Sequence, residues 1–368
     1  MLRFFLSKYM ENRNKVYLDF IRIIAIFLVV MNHTGVLCFP DCPGWFDVGF
    51  WCQMIWNDIV KMAVPIFFMV SGALLLPKEE TIAELFKKRI LRFALVYILI
   101  IVVQHLYCVS DGKAGLPTAL YFGSSENSFW AIWFLCAYIG ILLMLPIIRI
   151  IARHMRPEHY VYILSIQFIT CCLLPMLVFF AGREPAHCFV NKWIPFHPET
   201  GTLQFSYGYC VFYLLLGYFA EYHTKFILQI GLKRLAFAAV AMLLAEALSL
   251  VAIFNCRTAP EIGQSVVVFS AFLPIPCIAV YSLAKHFFET RTVGEGTRSL
   301  IAKCGAATLV VMLTENLFRL NIRPVLIDSL SPVIGAWCSN LILAVVVTLC
   351  ALILGLILKQ VPGIRKLV

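Results

Sequence analysis

Charge is what this sequence has least of. Only 14% of its 368 residues are Asp, Glu, Lys or Arg, whereas 61% are hydrophobic and the mean hydropathy is +0.88. Soluble domains carry about 25% charged residues, so this composition excludes a soluble fold and predicts a polytopic membrane protein. Long polar stretches are missing as well. The widest interval between apolar runs, about 182 to 204, has 23 residues, too few for a separate soluble domain, so any chemistry belongs within the helical bundle or at its faces. That interval holds His187, Trp193 and His197 and reads as an outer interfacial loop or as a lid over a substrate.

Metal-ligand and disulfide patterns are absent too. Several of the 14 cysteines, Cys136, Cys171, Cys172, Cys210, Cys277 and Cys350, lie inside apolar runs, and no CxxC pair or Cys/His cluster occurs. Neither a metal site nor a disulfide scaffold is expected. Cys38, Cys42, Cys52, Cys188 and Cys256 fall near the outer surface, where a disulfide could form, but spacing names no pair. A cleavable leader is not expected either, because the first apolar run is long, is interrupted by Arg22 and lacks a small-residue cleavage site. Acidic residues are outnumbered 20 to 30, for a net charge of +10. The basic residues flank apolar runs, so the excess reads as topological, and no nucleic-acid partner is expected.

What is present is a series of apolar runs. A hydrocarbon core of about 30 Å takes about 20 residues of helix, which predicts spans near 16 to 37, 54 to 76, 90 to 109, 130 to 151, 160 to 181, 205 to 221, 231 to 254, 262 to 284, 303 to 322 and 333 to 358. The expectation is an all-α bundle of about ten transmembrane helices forming one domain over 1–368, with the bilayer as its solvent. Of the 30 basic residues, Arg22 and Lys61 lie within spans, and six fall in one set of loops: Lys113, Arg183, Lys192, Arg257, Arg319 and Arg323. The other 22 lie on the side of both termini. That bias predicts cytoplasmic termini in a multi-pass protein of the plasma membrane.

Ionisable groups inside such spans cost about 2.5 to 3.5 kcal/mol each on insertion scales, so they are the residues to explain. The first span has three. Asp19 and Arg22, spaced i, i+3, can form a local ion pair. His33 follows Arg22 by 11 residues, which returns it to within about 20° of the same face and about 16 Å further along the axis. Asn32 stands beside it. Arg89 and Arg92 open the third span at i, i+3, either as interfacial anchors or as a paired guanidinium site for phosphate. In the second span Pro65 can open a kink, and Ser71-Gly72 permits close backbone approach. Glu315 lies about 18 Å in from Lys303 on the ninth span, a depth that could bring it level with His33. A carboxylate on an imidazole orients it and raises its basicity. Glu246 is a further buried acid with no partner visible in the sequence.

At these residues the sequence resembles the membrane acyltransferase-3 family, whose members modify cell-surface sugars and related acceptors. The family's Arg-x10-His element matches Arg22 and His33, preceded by the acid at Asp19. Its Arg-x-x-Arg element matches Arg89 and Arg92. Its Val-Pro-x-Phe-Phe-x-x-Ser-Gly segment matches Val64, Pro65, Phe67, Phe68, Ser71 and Gly72. Weaker matches are Trp133-Phe-Leu with Tyr138, and Phe212 through Tyr218. One departure is that many members end a late helix in a Tyr-x-x-His-like element, where this chain has Glu315 and no histidine. The SGNH-type domain fused to some members has no counterpart here, so a stand-alone form is expected.

The resemblance implies acyl transfer from cytoplasmic acyl-CoA, acetyl-CoA in the first instance, to a hydroxyl of a cell-surface glycan or lipid-linked sugar. No cofactor beyond that donor substrate is expected. His33 would act as general base or as acyl-carrying nucleophile, with Glu315 orienting it. Arg22, Arg89 and Arg92 would bind the donor phosphates; Asp19, Asn32 and Ser71 would support them; Trp133 and Tyr138 would wall the cavity. Two other readings fit ten helices with buried charges: a secondary transporter, and an inactive family member serving as a structural subunit. The two halves of the chain show no similarity of the kind inverted-repeat transporters have.

Overall fold

A chain in hydrocarbon must satisfy its own backbone hydrogen bonds, and a helix does so within one segment. Helix is the only regular structure among the described residues of the computed structural model, which are 15–34, 48–110, 131–174, 177, 207–223, 227, 229–256 and 272–367. In chain order the elements are α1 Val16–His33, α2 Val48–Lys61, α3 Ala63–Leu75, α4 Ile82–Leu85 and, after a π turn at Phe86–Ile90, α5 Leu91–Ser110. Then come α6 Ala131–His154, α7 Pro157–Phe168 with a π turn at Ile169–Leu173, α8 Tyr207–Tyr222, α9 Leu232–Cys256, α10 Pro274–Thr290 and α11 Glu295–Leu358.

Four stretches are long and apolar enough to cross a membrane: Val16–His33, Met54–Leu75, Phe134–His154 and Glu295–Leu358. The aliphatic side chains left exposed fall in helical stripes, such as Leu91, Leu95, Ile98, Leu99 and Val102 on α5 and Val240, Leu244 and Leu248 on α9. Water would penalise such stripes; lipid covers them.

Several expected helix ends shift. The second span divides at Met62 into α2 and α3. Pro65 has no N–H for the Lys61 carbonyl, and the chain tightens there, Met62 N–H donating to Ile59 O at 3.3 Å. The eighth span, expected to end at 284, runs to Thr290. The loop expected between 322 and 333 is helical, and the break falls later, at Gly335, whose φ of 82° favours glycine. Beyond it α11 folds back. A Cβ on Gly355 would stand 3.0 Å from that of Ala307, so the arms 295–334 and 336–358 lie against each other.

Glycine sets the close approaches, as expected where helices in lipid associate through backbone packing. A Cβ on Gly72 would lie 1.8 Å from the Leu214 carbonyl oxygen, and one on Gly217 would lie 2.0 Å from the Met69 carbonyl oxygen. Those crossed pairs make α3 and α8 antiparallel, backbone on backbone. Gly305 does the same for α11 and α1, since its Cβ would sit 2.5 Å from the Asp19 Cβ. Gly305 beside Asp19 and Glu315 beside His33 make the first arm of α11 run parallel to α1.

Candidate active site

One end of the bundle gathers the basic residues. Thr81 caps α4 through a reciprocal box with Glu84: the Glu84 N–H donates to Thr81 Oγ1 at 3.2 Å, and the Thr81 N–H donates to Glu84 Oε2 at 3.1 Å. This cap fixes Glu80 just ahead of it. Arg89 donates to Glu80 from Nη2 at 2.7 Å and from Nε at 3.0 Å, a side-on bidentate pair. Arg149, buried on α6, reaches the same carboxylate from Nη2 at 2.8 Å and caps the end of α3 through Nε to Leu75 O at 2.9 Å. Hydrogen bonds from Arg89 hold the Glu80 carboxyl down at about 2 against desolvation, with Arg149 adding to the effect.

The same end is electrically positive beyond what Glu80 neutralises. Burial pushes the Lys78 ammonium below the usual lysine range, and repulsion from Arg89, Arg149 and Arg22 adds to the shift against the pull of Glu80. Burial, then repulsion from Arg92 and Arg365, also lowers Lys359, just past α11. Arg22 donates to Asp19 at 3.1 Å, with both side chains about a third exposed. Arg92 Nε donates to Leu367 O at 2.9 Å. Arg89 and Arg92 therefore take separate partners instead of forming one fork. The π turn ends between them, and the i, i+3 face expected of regular helix is not kept.

Further along α1, toward the far end from Arg22, stands a histidine–carboxylate pair that joins α1 to α11. His33 Nδ1 lies 2.8 Å from Glu315 Oε1, with side-chain exposures of 17% and 2%. A carboxylate accepts hydrogen bonds, so in the neutral imidazole tautomer that donates to it from Nδ1 the acceptor nitrogen is Nε2. Glu315 Oε2 and Asn32 Oδ1 are buried with no hydrogen-bond partner among the described residues.

Tyr138 belongs to an aromatic row. Its ring centroid is 4.7 Å from Phe93 and 5.9 Å from Phe134, which in turn lies 5.4 Å from Phe68. Trp133 is on the same helix, but its side chain is outside the described set, as is the loop 182–204. Of the outer cysteines, Cys38, Cys42 and Cys188 are likewise outside it, and Cys52 is a free thiol. Ser71 is half-buried on α3, next to the Gly72 contact.

Sequence reading missed three features. The cluster of Glu80 with Arg89 and Arg149 is not marked by any pattern along the chain, although the T-x-x-E capping signature at Thr81 is legible and marks the turn. Glu221 accepts from Tyr17 at 2.5 Å, Tyr281 at 2.9 Å and Lys285 at 3.1 Å, tying α1, α8 and α10 together. Glu246, on α9, is in electrostatic range of buried Asp58 on α2.

Over residues 15–357 the chain matches a family described as an acyltransferase domain. Neither a curated protein nor a solved structure matches it.

Proposed function

The chain belongs to the membrane acyltransferase-3 family, and we propose that it moves an acyl group, acetyl in the first instance, from cytoplasmic acyl-CoA to a hydroxyl of an extracytoplasmic cell-surface carbohydrate. The observation that carries this reading is the 2.8 Å contact between His33 Nδ1 and Glu315 Oε1 inside a largely apolar bundle. A histidine held by a buried carboxylate is a general base with its tautomer set. Nε2 removes the hydroxyl proton as the acceptor oxygen attacks the thioester carbonyl. Collapse of the tetrahedral intermediate breaks the C–S bond, and the proton passes from Nε2 to the departing thiolate. Glu315 stabilises the transient imidazolium through the Nδ1 contact.

The positive end of the bundle supports the donor side. CoA carries several phosphates, and the grouping of Lys78 with Arg89, Arg149 and Arg22, and of Lys359 with Arg92 and Arg365, gives this end positive charge that would favour them. Among the described residues Arg22 donates to Asp19 and Arg92 to Leu367 O, and a guanidinium carries further donors for phosphate. Arg89 is committed to Glu80 along one edge and contributes through its remaining donors and its charge. Arg22 and His33 share a stripe of α1, so a donor docked at Arg22 would extend its thioester arm toward His33, past the aromatic row of Tyr138 and Phe134. Asp19 orients Arg22, and Asn32, next to His33 in sequence, and Ser71 would serve as supporting polar groups.

Mass spectrometry of cell-envelope glycans from cells carrying the wild-type chain or His33→Ala tests the assignment. An acyl mass present with the first and absent with the second is expected. Identical glycans from both strains, with both proteins in the membrane, would sink it.

A further inference from the structure

Beyond the His33–Glu315 pair, α11 carries two more cations that the acyl-transfer mechanism leaves unused. Arg319 follows Glu315 by four residues and Arg323 follows Arg319 by four, which puts them about 6 and 12 Å further along the helix and within about 40° and 80° of the Glu315 face. The first arm of α11 runs parallel to α1, so this direction leads away from Asp19, Arg22 and the basic end. Sequence alone counts both arginines with the loops opposite the termini, Arg319 in the last turn of the span expected to end near 322 and Arg323 just past it. The structure makes both helical, with Arg319 half-buried and Arg323 exposed.

Their partners differ from those of the basic end. Arg22, Arg89 and Arg149 each meet a carboxylate. No described carboxylate forms an ion pair with Arg319 or Arg323; Glu315, in electrostatic range of Arg319, already holds His33. Arg319 donates from Nη2 to the buried Asn316 Oδ1, which fixes the guanidinium. Its Nε is buried without a hydrogen-bond partner among the described residues. Two like charges one helical turn apart repel unless an anion lies between them, and an arginine edge with a spare donor is suited to carboxylate or phosphate.

We propose that Arg319, with Arg323 as the outer guide, is an anion-binding subsite for the acceptor, so that the acylated sugar carries a carboxylate or phosphate close to the reacting hydroxyl. The proposal rests on the acyl-transfer reading, because that reading brings the acceptor to His33 from the end opposite the donor. A neutral sugar would leave Arg319 Nε without a ligand, whereas an anionic one binds it and offsets the repulsion between the two guanidinium groups. Arg323, on the exposed face, would draw the anion in and hand it to Arg319.

The test uses the full chain in neutral-lipid nanodiscs with three probes: methyl glucoside, methyl glucuronoside and methyl glucoside 6-phosphate. Equilibrium binding is measured alongside transfer from acetyl-CoA. The wild type is expected to bind at least one anionic probe about 10- to 100-fold more tightly than the neutral sugar, the range of a charge-assisted contact. The arm that responds tells carboxylate from phosphate. Arg319→Gln should collapse the preference to about one, and Arg319→Lys should keep part of it. Thermal unfolding confirms that both variants are folded. No anionic preference in the wild type, or the same preference in Arg319→Gln, overturns the subsite and leaves the arginines to the lipid headgroups. Anionic preference in binding without any transfer would instead retain the subsite and remove the acyl-transfer reading.

Discussion

The basic end of this bundle and the surroundings of His33 are built on opposite terms. At the basic end, Glu80 receives three good hydrogen bonds from two arginines, Arg149 also caps α3, and Arg92 is tied to the C-terminal backbone. Around His33 the polar groups are fewer, and several atoms, Glu315 Oε2, Asn32 Oδ1 and Arg319 Nε, have no partner among the described residues. Burying an unsatisfied polar atom costs about 1 to 3 kcal/mol, so selection for stability alone would remove such atoms. On the proposed mechanism the basic end is scaffold as much as site, while the His33 region carries polar groups that a substrate would complete.

The sharpest way to break this contrast is His33→Ala. Loss of a general base should lower kcat about 10²- to 10⁴-fold with thermal unfolding little changed, measured by transfer from labelled acetyl-CoA with purified protein. Full activity would return the histidine to a packing role. Glu315→Gln keeps an oxygen for Nδ1 but removes the charge. It should lower kcat about 10- to 100-fold, less than the histidine variant, because the base survives without its counter-charge.

At the other end, Arg22→Ala combined with Arg92→Ala should raise KM for acyl-CoA about 10-fold with a smaller change in kcat, as expected for groups that hold the donor in ground and transition state alike. An unchanged KM would leave these residues as anchors. The smallest expected effect is on stability. Glu80 has its carboxyl pKa depressed in the folded protein, so its contribution is fully present above the ordinary glutamate value near 4.5 and is lost as pH falls toward about 2. Unfolding temperature should accordingly fall across that window in the wild type. Glu80→Gln should remove that part of the pH dependence without the kcat loss seen at His33. A pH profile indistinguishable between the two proteins would mean that Arg89 and Arg149 do not act through Glu80.

Much of the scaffold is legible along the chain. Helical periodicity placed Arg22 and His33 on one stripe of α1, and Pro65 marked the break that falls at Met62. Ser71-Gly72 marked a close approach, which the Gly72–Leu214 contact bears out. The expected depth of Glu315 also holds, since its carboxylate reaches His33 across 282 residues of sequence. Other features misled. The interval between the spans ending at 322 and starting at 333 suggested a loop, yet the backbone stayed helical past Pro324 and Pro332 up to Gly335, where φ could turn positive. The i, i+3 spacing of Arg89 and Arg92 suggested a common fork until the π turn separated them.

Sequence by itself determined that this chain lives in a membrane, roughly where its helices run, and which few charges lie within them, because hydropathy and helical period are properties of neighbouring residues. Tertiary structure alone decided which of those charges are already satisfied. Glu80 is claimed by two arginines from different helices, whereas among the described residues Glu315 meets His33 and Arg319 meets the Asn316 side chain, with the two in electrostatic range of each other. Pairing across helices depends on packing order and on the glycines that allow close approach, and it separates a structural ion pair from a group held ready for a substrate.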